Sequence, residues 1–141
     1  MLRLLVPVDG SDNSLRAVDY VLRTLGWCKD TAEVHVLNVQ PQLPGDVTMF
    51  IRAEQIRQFH QEEGMKALAP ALSKLDGAKI RHVSHVAVGD PAEVIARYAK
   101  EKHCDQICMG TRGLGRVTGM LLGSVTTKVI HLCDVPVLLI K

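Results

Sequence analysis

Aromatic residues are scarce: Phe, Trp and Tyr make up 4% of the 141 residues, with a single Trp. Platforms for single-stranded nucleic acid rely on stacked rings, so that class is disfavoured. Charge of one sign is lacking too. Seventeen Lys and Arg face fifteen Asp and Glu, for a formal charge of +2, and the basic residues form no run. A nucleic-acid footprint is therefore not expected. No apolar stretch approaches the roughly 20 residues that span a bilayer, so no membrane association is expected. The opening Met1-Leu-Arg-Leu-Leu-Val-Pro-Val8 lacks a long apolar region and a small-residue cleavage site, and reads as a first strand rather than a signal peptide. Cys28, Cys104, Cys108 and Cys133 contain no Cys-x-x-Cys pair. Their apolar neighbours suit buried thiols of a reducing cytoplasm better than a disulfide or zinc framework.

What is present is a chain 47% apolar, rich in Val and Leu, of a length expected to form one domain over residues 1–141. Leu2 to Val8 is a short branched apolar run, as for a strand buried on both faces. Asp9-Gly10-Ser11-Asp12 is a turn, with Ser11 or Asp12 as helix cap, and Leu15, Val18, Val21, Leu22 and Leu25 follow at helical spacing. Gly26 is placed to stop that helix. Ala32 to Val39 is a second strand, and Gln40 to Asp46 a loop with two prolines.

A long helix is expected from near Met49 or Ile51 to Leu75, with Ile56, Phe59, Met65, Leu68, Leu72 and Leu75 on its inner face and Gly64 and Pro70 weakening it. Lys79 to Val88 has the mixed polarity of an edge strand. Asp90-Pro91-Ala92-Glu93 reads as a helix start, with Asp as cap, Pro at the first position and Glu closing a capping box. A fourth strand at Asp105 to Met109, a helix from Ser124 to Leu132 and a fifth strand at Val137 to Ile140 complete the chain. Alternation of this kind predicts an α/β fold with one five-stranded parallel sheet, order 3-2-1-4-5, and helices on both faces. Ligands of such Rossmann-like sheets sit at the carboxyl ends of the strands, where strand order reverses. Asp9 and Gly110 would face one another there.

The stretch Gly110 to Thr127 joins the fourth strand to the last helix and contains no acidic residue. Glycines let the backbone approach a ligand closely, and the helix start adds unpaired N–H groups and the positive end of its dipole. Together these form a ready phosphate site. No lysine follows a suitable glycine, which excludes a Walker loop. The dinucleotide fingerprint fails as well, because the first turn reads Asp9-Gly-Ser and the second strand ends in Asn38-Val39 without an acid.

The spacing Gly110-x-x-Gly113, nine residues, Gly123-Ser124 resembles the nucleotide signature of the universal stress protein family, in its ATP-binding branch. The opening Val6-Pro-Val-Asp-Gly-Ser11, the segment Val88-Gly-Asp-Pro91 and the ending Val135 to Ile140 extend the resemblance over the whole chain. The resemblance implies that Pro7, Val8 and Asp9 line a bound ATP, with Val39 against the adenine. Met109, Gly110, Arg112 and Gly113 would border ribose and phosphates, and Gly123, Ser124, Val125 and Thr126 would hold the phosphates. Asp9 is the acid placed to meet a phosphate-bound Mg²⁺, though it would equally bond the ribose or cap a turn. Arg112 reads as a phosphate contact or a solvated loop residue, and Ser124 and Thr126 as phosphate ligands or helix caps. The segment Leu114 to Leu122 is expected to be mobile until phosphates order it.

No catalytic set accompanies the loop, neither a lysine nor a second carboxylate beside Asp9 other than Asp90 after the third strand. His82 and His85, three apart on a strand, face opposite ways and suggest no metal site. The reading is thus a nucleotide-dependent regulator of a stress response, cytoplasmic, acting on a regulatory protein partner. The alternative is a slow ATPase or a self-phosphorylating protein, with Ser124 or Thr126 as acceptor. The resemblance also implies a homodimer through the apolar edge strand Val137–Ile140.

Overall fold

The computed structural model describes residues 1–113, 119 and 121–141. Strands β1 (Leu2–Pro7), β2 (Ala32–Gln40), β3 (His82–Val88), β4 (Gln106–Gly110) and β5 (Val137–Ile140) form one parallel sheet. Their order is β3-β2-β1-β4-β5, as the sequence pattern predicts. The expectation of nearly continuous apolar strands follows from burial on both faces. Alternation divides them: Leu4 and Val6 of β1, Val8 just beyond it, Val34 and Val36 of β2 and Cys108 of β4 enter one core. Leu5, Leu37, Ile107 and Met109 enter the other.

Helices α1 (Asp12–Thr24) and α3 (Ala53–Gly77) cover the first core, through Ala17, Val18 and Val21 and through Leu68, Ala71 and Leu75. Helices α4 (Pro91–Glu101) and α5 (Ser124–Leu132) cover the second, through Ala92, Val94, Ile95 and Val129. A four-residue helix, α2 (Gly45–Thr48), buries no residue and interrupts the expected loop after β2. Among the described residues no helix is long and apolar enough to cross a membrane.

Several local expectations are corrected. Gly26 does not stop α1. That helix ends at Thr24 with Leu25 as its C-cap, and residues 25–27 tighten into a 3-10 turn, so no left-handed glycine is needed. The inner face of α3 runs through His60, Gly64, Leu68, Ala71 and Leu75, while Phe59 is 45% exposed. Gly64 strengthens this contact: a methyl there would overlap the Val86 side chain, so glycine lets the helix settle onto β3. Pro70 lies inside α3 on an exposed turn without ending it. Ser11 is the α1 cap, its oxygen accepting from the Ser14 N–H at 3.2 Å. Of the cysteines, Cys104 and Cys108 are buried as expected, and burial pushes both thiols up to about 11. Cys28 is exposed.

Candidate functional site

The carboxyl ends of β1, β2 and β4 converge on one cleft, and the turn that leaves β1 is fixed first. Pro7 has no N–H, so the ladder resumes at Val8, whose N–H donates to the Leu37 carbonyl at 2.8 Å. The buried Asn38 amide donates to the Val8 carbonyl at 2.8 Å, and the Gln40 amide donates to Asn38 Oδ1 at 2.7 Å. Asp9 Oδ1 then accepts the Ser11 N–H at 2.9 Å, an Asx turn completed by Gly10 at φ 87°.

The strand β4 exit is held from the opposite side. Asn13, 3% exposed on α1, accepts the Arg112 N–H at 2.8 Å through its side-chain oxygen. A methyl on Gly110 would overlap that same oxygen, so glycine is required by the neighbouring helix before any ligand is considered. At Gly113 a methyl would stand 2.5 Å from Asp9 Oδ2. Glycine at 113 thus lets the loop after β4 close against the turn after β1. The Thr111 N–H donates to Ile140 O at 3.0 Å, and the Gly123 N–H to Thr111 O at 2.6 Å. Thr126 is buried, and its hydroxyl donates to the Gly110 carbonyl at 3.0 Å.

Gly123 is the N-cap of α5, which has no side-chain cap bond and no acid in its first turn. An uncapped first turn leaves N–H donors and the positive dipole end open to an anion. The Ser124 reading as cap is therefore corrected: Ser124 is the first helical residue, and exposed.

These elements enclose a cavity of about 150 Å³ lined by Pro7, Val8, Asp9, Ser14, Leu37, Val39, Pro91, Ile95, Met109, Gly110, Arg112, Gly113, Val125 and Thr126. Most of the residues singled out from the sequence meet here. Gly123 and Ser124 do not line it. Gly123 lies behind, where a methyl would touch Arg112 Cα and Thr111 O at 3.4 Å. Leu37, Ser14, Pro91 and Ile95, to which the sequence pattern assigns no ligand contact, also line it. Alternation along β2 is the signal for Leu37, which must share a face with Val39. The expected mobile segment, Leu114 to Leu122, falls largely outside the described residues, and within it Leu121 is 87% exposed.

The cavity has two characters. Leu37, Val39, Pro91, Ile95 and Met109 form an apolar slot, while Arg112, Gly113 and the start of α5 form a donor-rich end beside the Asp9 carboxylate. An apolar slot with a few convergent polar groups suits a flat ring joined to an anionic group. Outside the mouth, Lys128 Nζ of α5 lies 3.0 Å from Asp90 Oδ2 and 3.6 Å from Glu93 Oε1. Lys128 and the Glu93 N–H hold the Asp90 carboxyl below its usual range. Asp90 caps α4 as expected, but the Glu93 carboxylate reaches Lys128 instead of closing a capping box. Among the described residues no group of three or more His, Cys, Asp or Glu is placed to hold a metal ion.

Comparison with known proteins agrees with this fold. The universal stress protein family model matches residues 1–141. Universal stress protein YxiE of Bacillus subtilis is 34% identical over 149 aligned positions, covering 99% of this chain and 98% of that protein. The solved structure of protein MJ0577 superimposes with a TM-score of 0.86 at 27% identity, covering 99% of this chain and 95% of that one. MJ0577 is a universal stress protein of Methanocaldococcus jannaschii. A universal stress protein solved in complex with cAMP superimposes with a TM-score of 0.73 at 26% identity, covering 99% of this chain and 97% of that one.

Proposed function

Because this chain belongs to the universal stress protein family, we propose that it binds an adenine nucleotide, ATP, in the cleft and regulates a stress response by its occupancy. The two-part cavity carries the reading: an apolar slot between β2 and α4 opens onto an uncapped helix start, within reach of glycine backbone. Adenine fits the slot between Val39 and Ile95. The phosphates lie toward Gly113, Arg112 and the N–H groups of Ser124, Val125 and Thr126. The cAMP complex of a related protein supports an adenine nucleotide as ligand class.

A Mg²⁺ ion carried by the phosphates would meet Asp9, the acid lining the cavity. The Thr126 hydroxyl is buried and committed to Gly110, and Ser124 lies outside the cavity lining, so neither favours a phosphoryl-acceptor role. The regulator would work in the cytoplasm, as a homodimer paired through the β5 edge, and hand its state to a protein partner.

The test is thermal unfolding with and without ATP and Mg²⁺. ATP at a hundred times its dissociation constant adds about 2.7 kcal/mol of stability and should raise Tm by several degrees. Gly113→Val should abolish the shift. Mass spectrometry of nucleotide retained through a gentle preparation gives an independent readout. No shift with millimolar ATP, together with no retained nucleotide, refutes the reading.

A further inference from the structure

Below the cavity floor, on the same side of the sheet, three ionisable side chains form a continuous hydrogen-bonded chain. His35 Nε2 of β2 lies 2.9 Å from Glu33 Oε1, and His35 Nδ1 lies 2.9 Å from His85 Nε2 of β3. The imidazoles are within 6° of parallel with centroids 5.2 Å apart, and Tyr98 of α4 meets His85 edge-on at 5.3 Å. His35 is 6% exposed.

The proton count of this chain follows from donor chemistry. An ionised Glu33 accepts only, so His35 Nε2 carries a hydrogen. In the neutral pair His35 Nδ1 is then the acceptor and His85 Nε2 the donor. One added proton leaves a single hydrogen between the facing nitrogens, and the contact survives. A second sets N–H against N–H, and the contact must open.

The surrounding charges are mixed. Glu33, bonded to His35, is itself shared with Arg81 Nε at 3.0 Å and Arg3 Nε at 3.9 Å. The Arg3 N–H is in turn bonded to Asp105 at 2.7 Å. From α4, Tyr98 packs on His85, and Lys102 sits 5.9 Å over the Tyr98 ring.

The chain shares its elements with the cavity. Leu37 and Val39, two and four residues beyond His35 on β2, line the cavity, as does Ile95, three residues before Tyr98 on α4. Two residues of strand amount to roughly 6.6 Å.

We propose that Glu33, His35 and His85 form a proton-binding site, and that uptake of the second proton by the histidine pair opens the His35–His85 contact, shifts α4 through Tyr98 and weakens ligand binding in the cavity above. The ligand clause rests on the nucleotide reading, whereas the proton site does not. Burial, His35 and Lys102 lower the His85 pKa below the ordinary histidine value. The sign follows. A histidine with a depressed native value takes protons more readily in the unfolded chain, so its contribution to stability is present above about pH 6.5 and is lost as pH falls through the native value.

The experiment follows the nucleotide-free protein from pH 7.5 to 5 by imidazole NMR and thermal unfolding. One imidazole of the pair should titrate well below the other, and Tm should fall with pH. His85→Phe, which keeps a ring against Tyr98, should flatten that fall; His85→Gln serves if the Phe variant does not fold. His103→Asn, an exposed control at φ 51° that asparagine tolerates, should keep the wild-type slope. Two independent titrations near pH 6.5, or a wild-type slope in the His85 variants, overturn the proton site. The ATP dissociation constant should rise by up to about tenfold per linked proton and pH unit in wild type and stay flat in the His85 variants. A pH-independent ATP affinity in wild type overturns the coupling. Absence of ATP binding at every pH refutes the nucleotide reading and the coupling, and the Tm slopes still decide the proton site.

Discussion

On one face of the sheet α1 and α3, 13 and 25 residues long, lie over Leu4, Val6, Val34, Val36 and Cys108. On the other, α4 and α5 have 11 and 9 residues and lie over Leu5, Leu37, Ile107 and Met109. The same five strands supply both layers by alternation, so strand composition does not distinguish them. Helix length and placement do. The cavity at the strand ends opens on the α4 and α5 side, bounded by Pro91, Ile95, Val125 and Thr126, and the histidine pair lies on that side too. One face is closed by its two longer helices, and the other carries the cleft and the histidine pair.

The largest test of that division compares two core truncations. Leu75 of α3 is 0% exposed, so Leu75→Ala should cost about 2–5 kcal/mol by leaving a cavity in a closed layer. Ile95 is 2% exposed but borders a cavity already present. Ile95→Ala therefore loses fewer packing partners and should fall at or below the low end of that range, about 2 kcal/mol. Urea unfolding of both variants measures the difference. Equal losses would mean that the two faces are equally close-packed.

A smaller contrast lies in how the helices begin. Ser11 caps α1 with its own side chain, whereas α5 begins at Gly123 with no side-chain cap. Ser11→Ala should cost about 1 kcal/mol. Ser124→Ala should stay within about 0.5 kcal/mol in the nucleotide-free protein. A large loss at Ser124 would show that α5 depends on that hydroxyl, contrary to the open helix start.

Much of this contrast is legible in the sequence, for physical reasons. Strand order follows from alternating short apolar runs and helical spacings, and the bounds of the last helix and strand, Ser124–Leu132 and Val137–Ile140, agree with expectation. The glycine spacing points to the β4 exit because close approach leaves few residue choices, as the Asn13 side chain against Gly110 illustrates. Residues acting by tertiary contact are less legible. Asn13 and Asn38 secure the two strand exits through partners 99 and 30 positions away, a separation no local pattern encodes. His60 occupies the inner face of α3 where Phe59 is expected, since a period of 3.6 tolerates a shift of one residue and the partner surface decides. Gly64, expected to weaken that helix, instead admits Val86.

The smallest expected effect concerns the ion pairs between the two short helices. Lys128 of α5 meets Asp90 and Glu93 at the start of α4, with all three side chains open to water, and exposed pairs of this kind contribute little. Its signature is a pH window. Asp90 is held below the usual carboxyl range, so its contribution is present above that range and is lost as pH falls through the native value. Lys128 is raised by the same contact, so its contribution is present below the usual lysine range and is lost as pH rises through the native value. The Tm difference between wild type and Lys128→Met should therefore be small, confined to the intermediate pH plateau, and erased by molar salt. It should also be separable from the histidine effect, because Lys128→Met leaves the Glu33–His35–His85 chain intact. A wild-type Tm slope between pH 7.5 and 5 in Lys128→Met would keep acid sensitivity with the histidine pair, whereas a flattened slope would transfer it to the helix strap at the mouth.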